Sequence, residues 1–401
     1  MSRILVVCYE YPPLGGGGGR VAGQVAAALV ERGHKVRCVT AGMPYLPRRS
    51  MVDGVEVIRV VAKRKREDTC TIFEMILWVV AALPVVLKEA WSWKPDVMHA
   101  HFAVPTGVVT WVVHQLTHIP YVLTAHLGDV PGGVPEQTDY IFKIIKPFTV
   151  PIWRSADCVT AVSSFVADLA EKAYGIRPRI ILNGVKLLRN SISASHGITN
   201  SNLVACRNLN SREAIVPRLL MVGRLSIQKN PLFAIQALAL LRDLSWTLHI
   251  IGEGPLFSHV QEEVRKLGLK NKVAFLGWLD ADEVRRAMER SDLLLIPSLS
   301  EGLPMVGVEA LAQGLAIVGS RIGGLRDVIT EDHNGCFFDL EEGPESLAEV
   351  LRPLLKNQLL LEKMKNASLE KANEFEWDHS IDAYESVLGA CTTSSLAQKH
   401  G

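Results

Sequence analysis

Two doubly wound α/β domains facing each other across a cleft are the architecture that the sequence predicts, on three observations. The chain has 401 residues, beyond the ~250–300 at which a single hydrophobic core usually stops growing. Short apolar runs rich in Val, Ile and Leu alternate with longer stretches of helical spacing, the signature of a parallel sheet covered on both faces. The alternation occurs twice, interrupted at 186–215 by a polar, Ser- and Asn-rich stretch with no clear period.

The first series predicts strands near 3–8, 35–40, 54–61, 96–100, 120–125, 157–162 and 179–182. The second predicts strands at 218–223, 246–251, 272–276, 292–296, 315–319 and 335–339. A helical stretch over about 345–390 closes the chain, and residues 391–401 read as a frayed tail. The expected domains are 1–185 and 216–390, joined by a linker or insertion at 186–215. The apolar run at 75–87 contains Pro84 and falls short of the ~20 apolar residues that span a bilayer.

Composition narrows the class. Apolar residues make up 48% and charged residues 21% of the chain, which fits a core-rich globular protein. Net charge is +1, from 43 basic and 42 acidic side chains, which argues against wholesale nucleic-acid binding. The seven cysteines (Cys8, Cys38, Cys70, Cys158, Cys206, Cys336 and Cys391) form no close pair. They read as free thiols in a reducing compartment, with no disulfide framework or zinc site. The amino-terminal apolar run at 4–8 is too short for a signal-peptide core, so a cytosolic protein is expected.

In open parallel sheets ligands bind beyond the carboxyl ends of the strands, so the loops there carry the candidate chemistry. Five glycines at 15–19 follow the first strand and precede a helix. They would let backbone approach a diphosphate near a helix N-terminus. Gly17, Gly19 and Ala22 also satisfy a dinucleotide fingerprint, but strand two ends Val39-Thr40-Ala41 without the acid that would hold a ribose. His126 follows the strand ending at Ala125, with Asp129 three residues on, and its imidazole can donate or accept a hydrogen bond. Arg224 and Lys229 share the loop after the first strand of the second series; a guanidinium fork and an ammonium together suit a diphosphate.

The most informative loop is Glu301-Gly302-Leu303-Pro304-Met305-Val306-Gly307-Val308-Glu309. Pro304 fits the first position of a helix, leaving the next N–H groups free for phosphate. Glu309 then lies about 7–8 Å up the helix, among apolar neighbours where an incidental carboxylate is unexpected. Sugar hydroxyls at Glu301, diphosphate at the helix start and ribose at Glu309 match the order of groups in a nucleotide sugar.

These segments together resemble the retaining glycosyltransferases of family 4, which have the GT-B fold, over nearly the whole chain except 186–215 and the tail. The Glu301–Glu309 segment is similar to the family's E-x7-E motif, and Arg224 with Lys229 to its diphosphate-binding loop. The glycines at 15–19 and the Thr124–Asp129 segment are similar to its glycine loop and T-x-H-x-x-D segment. Residues 155–163 and 181–185 also resemble family stretches. Lys186 stands where the family often has Asp, a departure that bears on the linker.

The resemblance implies a metal-independent transfer with retained anomeric configuration, no cofactor, and no enzyme nucleophile of the kind retaining hydrolases use. Arg224 and Lys229 would neutralise the leaving diphosphate. The amides of Gly16 and Gly17 would approach it, and Leu303, Pro304, Met305 and Val306 would lie against the donor. Glu309 would bind the ribose, Glu301 the donor sugar, and His126 would sit near the reacting carbon. Main-chain groups around Gly277 and Trp278 would meet the base.

Competing readings are an NAD-dependent oxidoreductase, a non-catalytic sugar-nucleotide-binding protein on the same fold, and a nucleotide-sugar epimerase. The expected acceptor is a glycan, possibly lipid-linked, or a lipopolysaccharide. Lys63, Arg64, Lys65 and Arg66 beside the apolar stretch 72–87 raise peripheral membrane contact through the first domain.

Overall fold

The computed structural model describes residues 1–67, 70–187 and 216–400. Most of the stretch read as a linker, with Cys206, lies outside the described residues. The first sheet runs in the order β3(Arg49–Val52), β4(Val55–Val61), β2(Lys35–Gly42), β1(Arg3–Cys8), β5(Val97–His101), β6(Tyr121–Ala125), β7(Cys158–Ala161), β8(Arg179–Ile180). All neighbours pair parallel except β3 with β4. The second sheet is wholly parallel: β11(Val273–Gly277), β10(Thr247–Ile251), β9(Arg218–Val222), β12(Leu293–Ile296), β13(Ala316–Ser320), β14(Gly335–Phe338).

Strand β1 shows why these sequences form covered sheets. Leu5 and Val7 join one core with Trp78, Ala82 and Val86 of the Ile72–Ser92 helix. Ile4 and Val6, on the other face, pack with Val21, Val25 and Leu29 of the Gly17–Glu31 helix. In each sheet the strand order reverses beside the first strand: β1 lies between β2 and β5, and β9 between β10 and β12. Such switch points leave a crevice at the carboxyl ends of the strands.

Two expectations need correction. Strand β3 was not foreseen, because its residues are exposed or half-buried and show no apolar pattern. It is turned back by Asp53 and Gly54, both at positive φ (47° and 76°), the Asp-Gly signal of a two-residue hairpin.

The final helix, Trp377–His400, does not close the second domain and runs through the stretch read as frayed. Its Ile381, Tyr384, Val387 and Leu388 pack with Ile4, Val6, Val97 and Val122 of the first sheet. Arg32, on the first helix's end, hydrogen-bonds Asp382 and, at 2.9 Å, Glu385.

Of the basic tetrad, Lys63, Lys65 and Arg66 are exposed and one member is not. Arg64 is buried, donates to the carbonyls of Arg66 and Glu67 at 2.9 Å, and lies over the Tyr9 ring. No described helix is long and apolar enough to cross a membrane. The six described cysteines are free.

Candidate active site

Loops from both switch points build the site. After β9, Lys229 reaches the loop after β12, where its Nζ lies 2.6 Å from Glu301 Oε1. Ser298 Oγ donates to the same oxygen at 2.6 Å. Two further bonds stitch these loops: Gln228 Nε2 to the Ser300 carbonyl at 3.0 Å, and the Leu299 amide to the Gln228 carbonyl at 2.7 Å. Glu301 is buried, and its carboxylate is held in place by charge-assisted bonds, the strong class. Arg224, Lys229, Pro297, Ser298 and Val306 line one small pocket at the carboxyl ends of β9 and β12.

The helix expected after Glu301 spans Met305–Ala312. Pro304 is its N-cap (φ −71°, ψ 108°) and not its first helical residue. The amides of Gly307 and Val308 bond the Pro304 carbonyl at 2.9 and 3.2 Å, and no side chain caps the end. The helix's leading donors are therefore the amides of Met305 and Val306, beside the cleft that Arg224 and Lys229 line. Glu309, half-buried one turn on, has its carboxyl pKa raised by desolvation, an effect that Arg20 opposes. Arg20 belongs to the Gly17–Glu31 helix, so this charge faces Glu309 from the first domain.

On the first-domain side the glycine loop divides into two kinds. A Cβ at Gly18 would lie 2.5 Å from the Phe102 ring and 3.1 Å from His126 Nδ1, whereas one at Gly17 would meet nothing within 4 Å. Gly16 is the helix N-cap, its amide bonded to Glu10 Oε2 at 3.0 Å. Gly17 is thus open to a ligand and Gly18 is needed for packing.

His126 is buried, with Phe102 against its ring at a centroid distance of 4.3 Å. Desolvation lowers its pKa to about 4 against an opposing pull from Asp129, so the imidazole is neutral at pH 7. Asp129 is engaged within the first domain. Its carboxylate accepts from the amides of Ala103 (2.7 Å), His126 (3.0 Å) and Leu127 (3.1 Å), and so it shapes the His126 turn.

The domains meet here. A Cβ at Gly302 would stand 2.4 Å from the His126 carbonyl oxygen, and the Ser164 amide donates to Asp327 Oδ2 at 2.9 Å. The His126 main chain thus lies against Gly302, next to Glu301, and Glu301 is joined through Lys229 to the pocket that Arg224 and Val306 line. Gly277 (φ 69°) and the exposed Trp278 end the edge strand β11, at the same end of the second sheet but not among the cleft-lining residues. Glu10, Arg20, His101 and Phe102 were not singled out from sequence. The His-Ala-His-Phe run at 99–102, polar residues inside an apolar strand, was the signal available for two of them. Among the described residues one group is spaced to hold a cation, Glu331, Asp332 and Cys336. It lies at the amino end of β14, the opposite edge of the sheet from the cleft.

Residues 16–184 match the glycosyl transferase 4-like domain, and residues 211–371 match the glycosyl transferases group 1 model. The chain belongs to the family 4 glycosyltransferases. It is similar to a glycogen synthase of Mycobacterium tuberculosis, 28% identical over 433 residues covering 100% of this chain and 95% of the relative. Its fold matches a sucrose-phosphate synthase from Thermosynechococcus elongatus (TM-score 0.78, 18% identity, covering 97% and 100% of the two chains). It also matches Anabaena HepE in complex with UDP-glucose (TM-score 0.73, 19% identity, covering 97% and 100%). These are GT-B glycosyltransferase neighbours, and the two facing parallel-sheet domains are that fold. The protein is accordingly a nucleotide-sugar glycosyltransferase, and the oxidoreductase reading of its glycine loop finds no support.

Proposed function

We propose that this glycosyltransferase moves a sugar from a nucleoside-diphosphate sugar to a glycan or lipid-linked hydroxyl, with retention and without a metal. One observation carries the reading: Arg224, Lys229 and the open helix start at Met305 and Val306 surround one cleft. Charge grows on the diphosphate as the glycosidic bond breaks, and fixed cations and amides aimed there stabilise the transition state more than the ground state. Glu309 takes the ribose hydroxyls and Glu301 the sugar, while His126 faces the sugar from the first domain and Gly17 approaches the phosphates, the Gly16 amide being held by Glu10. Glu301 already has one oxygen engaged by Lys229 and Ser298, which suits a binding role better than nucleophilic attack.

The test is release of nucleoside diphosphate from a panel of nucleotide sugars, with and without acceptor. Activity is expected to survive EDTA, product NMR to show the donor's anomeric configuration, and Arg224→Ala or Lys229→Ala to lower kcat more than donor affinity. Activity lost on chelation and restored by Mg²⁺, or an inverted product, overturns the mechanism.

Peripheral membrane contact would use the exposed Lys63, Lys65 and Arg66 together with exposed apolar residues on two helices of the first domain. Ile72, Phe73, Ile76 and Val80 are exposed on the Ile72–Ser92 helix. Tyr140, Ile144 and Phe148 are exposed on the Pro135–Arg154 helix, interleaved with exposed Lys143 and Lys146. Apolar residues flanked by lysine fit an anionic leaflet. The wild type is expected to sediment with anionic vesicles and the Phe73→Ser/Phe148→Ser variant to stay in the supernatant. Wild type that remains soluble at low salt points instead to a soluble acceptor.

A further inference from the structure

Beneath His126 lies a file of buried imidazoles that the proposed chemistry leaves unexplained. Strand β5 carries His99 and His101, fully buried two residues apart, with ring centroids 4.1 Å from each other. His99 Nε2 lies 2.8 Å from Thr124 Oγ1, which lies 2.8 Å from Thr160 Oγ1. His101 Nδ1 lies 3.1 Å from His126 Nε2. The remaining nitrogens of the two lower rings, His99 Nδ1 and His101 Nε2, are buried with no partner.

Burial keeps all three rings neutral at pH 7: it lowers His99 to about 3, His126 to about 4, and His101 well below its ordinary value. Each ring then carries one N–H, and a single proton lies between His101 Nδ1 and His126 Nε2. If His126 donated it, His101 would carry its proton on Nε2, a buried N–H with nowhere to go. If His101 donates it, His101 Nε2 is a bare lone pair. Orphaned buried N–H groups are rarer than under-satisfied acceptors, so the second arrangement is favoured.

We infer that His101 is a positioning residue whose Nδ1–H donates to His126 Nε2 and locks His126 in the Nδ1–H tautomer. That Nδ1 is the ring atom facing the glycine loop, 3.1 Å from where a Cβ on Gly18 would stand. His126 therefore presents a hydrogen-bond donor to the cleft. Given the sugar-donor reading above, on which this last step rests, the N–H meets an acceptor oxygen of the donor sugar and cannot remove a proton from it. A neutral imidazole has one donor and one acceptor nitrogen, and His101 decides which of them the substrate sees. It is the second-layer control by which a neighbour fixes a histidine's orientation and tautomer elsewhere.

The tautomer is read directly by long-range ¹H–¹⁵N correlation on histidine-labelled full-length protein, the His126 signals being those lost in His126→Gln. The wild type is expected to show a protonated Nδ1 and an unprotonated Nε2. His101→Phe is expected to move the His126 proton to Nε2. His101→Asn, whose amide N–H stands where Nδ1–H stood, should keep it on Nδ1. In parallel, kcat should fall about tenfold in His101→Phe with nucleoside diphosphate affinity unchanged, and recover in His101→Asn. A wild-type His126 protonated at Nε2 overturns the inference, as does an unchanged tautomer in His101→Phe. The wild-type spectrum decides alone if that variant does not fold. A locked Nδ1–H tautomer in a protein that releases no nucleoside diphosphate from any sugar donor would leave this inference standing and sink the functional reading.

Discussion

Glu309 shows how a single side chain can serve binding at the expense of stability. Its carboxyl is pushed up by burial, with Arg20 pulling the other way. For an acid whose folded pKa is raised, the stabilising contribution is present below the unfolded value and lost as pH rises through the folded one. Glu309→Gln should therefore raise Tm at pH 7 and leave it unchanged below about pH 4. The same variant should lose donor affinity at pH 7, because charge-assisted bonds to ribose hydroxyls are typically worth ~1.5–3 kcal/mol. Thermal melts at both pH values with calorimetric titration of nucleoside diphosphate check the two halves. A Tm that falls at pH 7, or an unchanged affinity, refutes the assignment. Glu309 was legible in the sequence because a carboxylate among Val306, Val308 and Ala310 is out of place. Arg20 was not, since nothing in a sequence tells that residue 20 faces residue 309 across a cleft.

At the scale of elements, the strands were legible because most are apolar runs buried on both faces, and the loops after them carry His126, Arg224, Lys229 and Glu301. What escaped was either exposed, as in β3, or hidden within an apolar run, as with His99 and His101 in β5. The polar core around β5 has a consequence for acid stability. The depressed His99 and His126 pKa values, about 3 and about 4, mean that the unfolded chain binds protons near its ordinary value of about 6.5 while the folded one does not. Stability held above pH 6.5 should thus be lost as pH falls toward 4. Urea unfolding across that range should show a steep decline, flattened in His99→Gln. A flat wild-type profile would mean that these rings charge without unfolding.

Across the whole molecule, the chain crosses between domains twice, and the crossings are tied together. The Val185 amide bonds the Phe375 carbonyl at 2.8 Å, and the Trp377 amide bonds the Val185 carbonyl at 3.1 Å. With the two crossings joined at this point, opening is expected as a bend about it without free swivelling. The second crossing delivers Trp377–His400 to the first domain. Each buried aliphatic residue it helps cover is worth roughly 1.5–3 kcal/mol, so losing the cover on Val97 and Val122 removes a large part of a domain's margin of ~5–15 kcal/mol. Deleting 377–401 should abolish amide-exchange protection in β1, β5 and β6 while β9, β12 and β13 keep theirs. Equal loss in both sheets, or none, contradicts this division. The sequence's periodicity shows that the last helix has an apolar face; it carries no address for the sheet that face belongs to.

That returning helix also sets an order of events at the ribosome. The first domain emerges first, yet a helix that covers part of its sheet is made only after the second domain. At ~5–20 residues per second, the strip around Val97 and Val122 waits on the order of tens of seconds for its cover. During that interval the second domain, contiguous from β9 to the Gln358–Lys371 helix, has every element it needs. The half synthesised first is therefore completed last, and a chain released a few dozen residues early would carry a finished carboxyl-terminal domain beside an unfinished amino-terminal one.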